Sequence, residues 1–239
     1  MRNLRIGDLV VRRSYGFDIV FRVIDRIRTY GRKKIVILKG INFRIIADAP
    51  ETDLYRLPLS RIDDYNRSFN EKITKMIDKI MGERKKKNEK DVDDIKNLSD
   101  SLNTAMPFGK SGRVLHIDGD AEYLDICLKT YKQLEINVVG KQIAESEQPK
   151  VVLDLLREHA PDILVITGHD GILKEKEDYA NIENYRNSMY FIEAVKEARK
   201  YESSMDDLVI FAGGCQSYYE GLLNAGANFA SSPHRVLME

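Results

Sequence analysis

Two short apolar runs that lack alternating polar residues constrain the fold of this chain most. They are "DILVITG" (162–168) and "DDLVIFAGG" (206–214). Strands buried on both faces have this pattern, because neither face of the strand meets water. Segments with helical spacing separate such strands here, and this alternation predicts an α/β domain over 113–239 with a parallel sheet covered by helices on both faces.

The rest of this region continues the alternation. Two further strands are predicted, at 113–118 and 136–140. Helical spacing of apolar residues predicts the four intervening helices, at 121–134, 149–160, 184–201 and 217–226.

The first part of the chain has a different pattern. Residues 1–57 contain short runs rich in Val, Ile and Phe, separated by the turn sequences "YGFD", "YGRK" and "KGIN". Four or five short strands in so few residues predict a small SH3-like β-barrel. Residues 58–112 predict a charged helical linker, with two helices interrupted at "GERKKKNEKD" (82–91).

Charge is distributed unevenly although the net charge is zero. Residues 1–57 hold 13 Lys/Arg against 6 Asp/Glu, whereas residues 113–239 hold 13 against 22. The acidic part favours cationic ligands. The basic part suits an acidic partner, but few aromatic residues stand among its charges, so nucleic acid is not the expected ligand.

Several classes of protein are not favoured by the sequence. It contains no apolar run long enough to span a membrane and no signal-like start, so we expect a cytoplasmic protein without a membrane partner. Two cysteines make neither a disulfide framework nor a cysteine zinc site. No G-x-G-x-x-G motif opens a helix, and we expect neither a cofactor nor a metal.

Notable polar residues follow three of the predicted strands. Asp118 and Asp120 end the first, His169 follows the "VITG" strand, and Cys215 follows the "FAGG" strand. Ligands of open parallel sheets bind beyond the carboxyl ends of the strands, which share one edge. We therefore expect the histidine and the cysteine to meet.

A cysteine next to a histidine is suited to nucleophilic catalysis. The imidazole of His169 raises the thiolate fraction of Cys215 and later protonates the leaving amine. A helix beginning at Ser217 would lower the thiol pKa further. The backbone N–H groups of Cys215, Asp170 and Gly171 are the expected oxyanion hole.

Two other interpretations stay open at this point. A single cysteine or histidine at a strand end is often only a packed or hydrogen-bonded structural residue. Alternatively, the α/β part is a non-catalytic receiver-like or cobalamin-binding module, joined to a β domain that binds nucleic acid or a partner. "TGHDG" (167–171) lacks the D-x-H-x-x-G order of a cobalamin ligand, which weighs against the second interpretation.

The order of the two strand-end motifs resembles the caspase-like cysteine peptidases, in which the histidine strand precedes the cysteine strand. Longer blocks, among them "VLHIDGDAEYLDICLKTY" and "FAGGCQSYYEGLLNAGANFASSPHRV", resemble the YabG-type sporulation-specific proteases of spore-forming Firmicutes. This resemblance implies a caspase-like fold and a mother-cell protease that cleaves spore coat and other sporulation proteins after basic residues, with arginine preferred. Family members usually continue past "SSPHRVLME", so a C-terminally incomplete peptidase domain is expected.

The resemblance also suggests where specificity resides. In caspase-like folds the pocket for the P1 residue, which precedes the cleaved bond, takes a residue from the end of the first strand. Here that strand ends at Asp118, with Asp120 two positions later. These two carboxylates are the predicted P1 residues, because a carboxylate pairs with a guanidinium. Asp118 is the preferred one, since Asp120 is better placed as the N-cap of the following helix.

Overall fold

A computed structural model describes residues 4–27, 34–42, 44–98, 112–173, 178 and 181–231. The chain divides into two compact units, Met1–Lys75 and Met76–Glu239. Each unit is presented by itself below.

The first unit is built on an antiparallel sheet. Its described strands are β1 (Leu9–Arg12), β2 (Val20–Ile27), β3 (Ile35–Gly40), β4 (Ile46–Pro50) and β5 (Leu54–Arg56). They are paired in the order β4-β3-β2-β1-β5. Val10, Val23 and Leu38 are fully buried in its core. Short strands are thus present where the sequence predicted them, and their closure into an SH3-like barrel stays a prediction.

A single long helix, α1 (Leu59–Leu98), follows the first sheet. The predicted break at 82–91 is wrong, because the helix continues through it. One interior glycine, Gly82, costs a helix only about 1 kcal/mol. Charged pairs one turn apart offset part of this cost. One such pair is Lys79 and Glu83, with Nζ and Oε1 3.9 Å apart.

The second unit contains the parallel sheet. Its described strands are β6 (Val114–Asp118), β7 (Val138–Gln142), β8 (Ile163–Thr167), β9 (Val209–Ala212) and β10 (Phe229–Ala230). Every pairing is parallel, in the order β10-β9-β8-β6-β7. The predicted parallel sheet is confirmed. The two-residue strand β10 was not predicted, since so short a run has no recognisable period.

Helices cover both faces of this sheet. They are α2 (Ala121–Gln133), α3 (Gln148–His159), α4 (Ser188–Tyr201) and α5 (Tyr219–Asn224). On one face, Leu115 and Ile117 of β6 belong to a buried cluster with residues of α3 and α4. On the other, the His116 ring meets the ring of Tyr131 in α2, with centroids 5.8 Å apart. The caspase-like details of the fold stay a prediction. Of the described helices, not one is both long and apolar enough to cross a membrane.

Candidate active site

The strand order creates a crevice at the carboxyl edge of the sheet. From β6 the chain crosses through α2 to β7 on one side, and then through α3 to β8 on the other side of β6. The loops after β6 and β8 therefore leave the sheet in opposite directions, and such a point is where open α/β sheets bind ligands. The predicted site residues Asp118, Asp120 and His169 lie at these two strand ends.

Asp118, the last residue of β6, faces the interior of the protein. Its side chain has no exposed surface. One carboxylate oxygen accepts from the N–H of Asp120 at 2.7 Å, and the other accepts from the Thr167 hydroxyl at 2.7 Å. The Thr167 oxygen in turn lies 2.8 Å from Nε2 of His116. This burial argues against Asp118 as the carboxylate that meets an arginine side chain, because a substrate does not reach it.

Asp120 reaches the surface of the crevice and faces the predicted catalytic histidine. Its Oδ1 accepts from the N–H groups of Glu122 and Tyr123, so it is the N-cap of α2. Its Oδ2 lies 3.7 Å from Nε2 of His169, with the two side chains 14% and 19% exposed. The Tyr123 ring lies beside the imidazole, with centroids 5.7 Å apart. A carboxylate and an aromatic ring in these positions restrain the orientation of the imidazole.

Glu145, in the loop after β7, supports the backbone of His169. Its Oε1 accepts the His169 N–H at 2.7 Å. The carboxylate lies directly over Gly119 and Gly168, where an added Cβ would stand 2.2 and 2.5 Å from Oε1. The two glycines therefore leave the space that this carboxylate fills. From this space the Glu145 carboxylate accepts the His169 N–H and fixes the backbone of the histidine.

The loop that carries Cys215 touches the loop that carries His169. Cys215 follows β9 after two glycines and is half-buried, and it is not in a disulfide. A Cβ added at Gly214 would lie 2.6 Å from the Gly168 oxygen and 3.0 Å from the Asp170 nitrogen. The residue before the cysteine thus packs against the residues on both sides of the histidine, so the structure brings the two predicted catalytic residues onto adjoining loops.

Gln216 and Ser217 add further links between these loops. The Ile172 N–H donates to Oε1 of Gln216 at 3.4 Å, and the Ser217 hydroxyl donates to Oδ2 of Asp170 at 2.8 Å. The predicted helix start at Ser217 is wrong, since α5 begins at Tyr219. Ser217 belongs instead to the connection that fixes the cysteine loop.

Asp170 is half-buried, and its carboxylate accepts hydrogen bonds within its own loop and from its surroundings. Its Oδ1 accepts from the N–H of Gly171 at 2.9 Å, so that amide is engaged within the loop. Burial raises the pKa of Asp170 above its ordinary value of 3.8, although hydrogen bonds from Ser188, Asn187 and Ser217 act in the opposite direction. Of the three predicted oxyanion donors, the Gly171 N–H therefore already donates to the Asp170 carboxylate.

Sequence reasoning missed Glu145, Ser188 and Ser217. Glu145 could have been found, because it follows β7 and the rule for strand ends applies to it as well. Ser188 and Ser217 stand at a helix start and in a turn, where serine is common and carries no functional signal. In the part of the chain that the structure describes, no three His, Cys, Asp or Glu side chains are grouped as ligands of a metal ion.

Comparison with known proteins identifies the family. The family model described as YabG peptidase U57 matches residues 5–239. The chain belongs to the YabG peptidase family. It is 38% identical over 232 residues to the sporulation-specific protease YabG of Bacillus subtilis (strain 168). The matched region covers 97% of this chain and 79% of the relative. Membership in the YabG family identifies the chain as a peptidase, and this relative supports a role in sporulation.

A solved structure gives a much weaker likeness. It is a cobalamin-binding protein from Desulfitobacterium hafniense, with 20% identity over 51% of this chain and 53% of that chain, and a TM-score of 0.31. A likeness at this level carries no conclusion about the YabG-family chain.

Proposed function

We propose that this peptidase is a cysteine endopeptidase of sporulation, with Cys215 as the nucleophile and His169 as its general base. The observation that carries the proposal is the contact of Gly214 with Gly168 and Asp170, which joins the two loops at the residues next to the proposed dyad. Asp120, 3.7 Å from Nε2 of His169, is positioned to orient the imidazole and to stabilise its charged form.

The reaction that this arrangement supports has two stages. His169 takes the proton of the Cys215 thiol, and the thiolate attacks the carbonyl carbon of the scissile peptide bond. The tetrahedral intermediate collapses when the C–N bond breaks and His169 gives its proton to the leaving amine. Water, deprotonated by His169, then hydrolyses the thioester and frees the thiol.

The oxyanion of the tetrahedral intermediate needs N–H donors at the crevice. We assign this role to the backbone amides of Asp170 and Cys215, which belong to the two adjoining loops. The Asp170 nitrogen lies 3.0 Å from the position that a Cβ of Gly214 would take, so it stands where the two loops meet. Preorganised amides of this kind are worth about 10²- to 10³-fold in rate.

Cleavage after basic residues is the proposed specificity, and spore coat and other sporulation proteins are the proposed substrates. The excess of 22 Asp/Glu over 13 Lys/Arg in residues 113–239 favours cationic substrates by electrostatic attraction. Of the two carboxylates predicted for the P1 pocket, Asp120 is accessible and Asp118 is not. The P1 assignment is therefore kept for Asp120 alone.

The dyad is tested by replacing its members and measuring hydrolysis of a short peptide that contains one arginine. Cys215→Ala and His169→Ala should each abolish turnover, since a nucleophile and its base act as a unit. Cys127→Ala is the matched control, because Cys127 is the other cysteine of the chain and lies in α2. Wild-type turnover in Cys215→Ala would refute the cysteine mechanism.

The specificity is tested with Asp120→Asn on peptides that have Arg, Lys or Gln at P1. If Asp120 reads the P1 cation as well as orienting His169, kcat/KM falls on all three peptides and falls further for Arg and Lys than for Gln. Equal losses on all three peptides would remove Asp120 from the P1 pocket and leave it only the orientation of His169.

A further inference from the structure

The carboxylate of Asp170 joins the two halves of the site. In the described part of the chain, four hydrogen bonds end on it, and they come from three separate segments. The donors are the N–H of Gly171, the N–H of Asn187, and the hydroxyls of Ser188 and Ser217. Donors on both oxygens restrain such a carboxylate, because a partial rotation would leave a donor unpaired.

Each of the two serines also accepts a hydrogen bond from the loop that carries Cys215. The Ser217 hydroxyl donates to Asp170 and accepts the Gly214 N–H at 2.7 Å. The Ser188 hydroxyl also donates to Asp170 and accepts the Tyr218 N–H at 2.8 Å. Both ends of the segment 214–218, which contains Cys215, are therefore hydrogen-bonded through serine to one carboxylate.

The histidine loop is fixed at the same place. Asp170 is the residue after His169, and the Asn187 side-chain amide donates to the His169 carbonyl oxygen at 2.7 Å. Asn187 also gives its backbone N–H to Asp170, at 2.8 Å. A negative charge next to these first amides of α4 is favoured by the helix dipole.

We propose that Asp170 is a positioning residue of the peptidase, whose carboxylate sets the separation of Cys215 and His169 through Ser217 and Ser188. The inference rests on the proposed dyad and gives it a specific support. The role belongs to the Asp170 carboxylate and is separate from the backbone N–H that is assigned to the oxyanion. Its effect is expected on the turnover step, in which a misplacement of about 1 Å can cost about 100-fold in rate.

The inference is tested with Asp170→Asn and Ser217→Ala in the whole chain. In Asp170→Asn an NH₂ group replaces one carboxylate oxygen. If this NH₂ group stands in the place of Oδ2, the hydroxyls of Ser188 and Ser217 both lose their acceptor. In Ser217→Ala the Gly214 N–H loses its acceptor. The matched control is Asp162→Asn, whose carboxylate also accepts a backbone N–H, that of Arg113 at 2.7 Å, but precedes β8 at the opposite edge of the sheet.

Three quantities are measured: kcat and KM on the arginine peptide, the pH profile of iodoacetamide alkylation at Cys215 with Cys127 as the internal reference, and the thermal unfolding midpoint. We expect kcat to fall about 100-fold in both variants, with KM little changed. The alkylation profile of Cys215 should move to higher pH, because its thiolate loses the neighbouring imidazolium. The Cys127 profile and the Asp162→Asn kinetics should stay as in the wild type, and Ser217→Thr, which restores the hydroxyl, should recover kcat.

A folded Ser217→Ala protein with wild-type kcat and an unchanged Cys215 profile would overturn the positioning role. So would an equal loss in Asp162→Asn, since the effect would then belong to any removed carboxylate. Failure of the dyad itself is distinguished by Cys215→Ala, which would retain turnover in that case alone.

Discussion

Gly214→Ala should separate the loops that carry His169 and Cys215 without straining the backbone. Gly214 is not among the glycines with positive φ, so alanine can adopt its conformation. The new methyl group, however, would stand 2.6 Å from the Gly168 oxygen, whereas ordinary contact begins at 3.4 Å. The loops must therefore move apart by about 0.8 Å, which is the difference between these two distances.

The expected cost follows from this displacement. Overpacking at a buried position typically destabilises a protein by about 1–3 kcal/mol. Misplacement of a catalytic group by about 1 Å can cost about 100-fold in rate, and we expect kcat to fall by up to this factor. The loss in kcat should exceed any loss in substrate affinity, because the change lies between the reacting groups.

The assay compares Gly214→Ala with Gly82→Ala in peptide hydrolysis and urea unfolding. Gly82 lies in α1, and an added Cβ there meets nothing within 4 Å. This control should gain about 1 kcal/mol in stability from helix propensity and keep its activity. A folded Gly214→Ala protein that hydrolyses the peptide at the wild-type rate would refute the close approach of the two loops as a requirement for catalysis.

Two further predictions concern stability. Burial raises the pKa of Asp170 above 3.8, so its contribution to the free energy of unfolding is greatest below that pH and declines as pH rises through the folded-state pKa. Urea unfolding from pH 4 upward should show this decline in the wild type and not in Asp170→Asn. Parallel curves of unfolding free energy against pH for the two proteins would contradict it. In the first unit, Leu38→Ala removes a fully buried side chain of β3 and should destabilise the sheet by about 2–5 kcal/mol, as read by circular dichroism, whereas a change below about 0.5 kcal/mol would contradict its place in the core.

The residues at the strand ends could be predicted because parallel strands obey a strong geometric rule. An apolar run without alternation must be buried on both faces, and burial on both faces implies crossover helices and a shared carboxyl edge. The positions of His169 and Cys215 at this edge were predicted in this way. The rule states where a residue lies along a strand and not which way its side chain points.

The orientation of Asp118 and the network of Asp170 could not be predicted for that reason. Asp118 faces inward because Thr167, on the neighbouring strand, offers it a hydroxyl, and this pairing depends on strand order. The partners of Asp170 come from positions 17, 18 and 47 residues later in the chain. The continuous helix α1 was missed for a different reason. A segment with one glycine among charged residues has the composition of a linker, but a single glycine destabilises a helix only slightly.

The N-cap of α2 has a consequence that extends from structure to turnover. One oxygen of Asp120 holds the first amides of the helix, and the other faces Nε2 of His169. Coupling between two such contacts is reciprocal, so a change in how firmly the carboxylate holds these amides changes its position beside the imidazole, and the reverse. Fraying of the first turn of α2 and the position of the carboxylate beside His169 are thus linked. Hydrogen exchange at the amides of Glu122 and Tyr123 therefore reports on the carboxylate that faces His169.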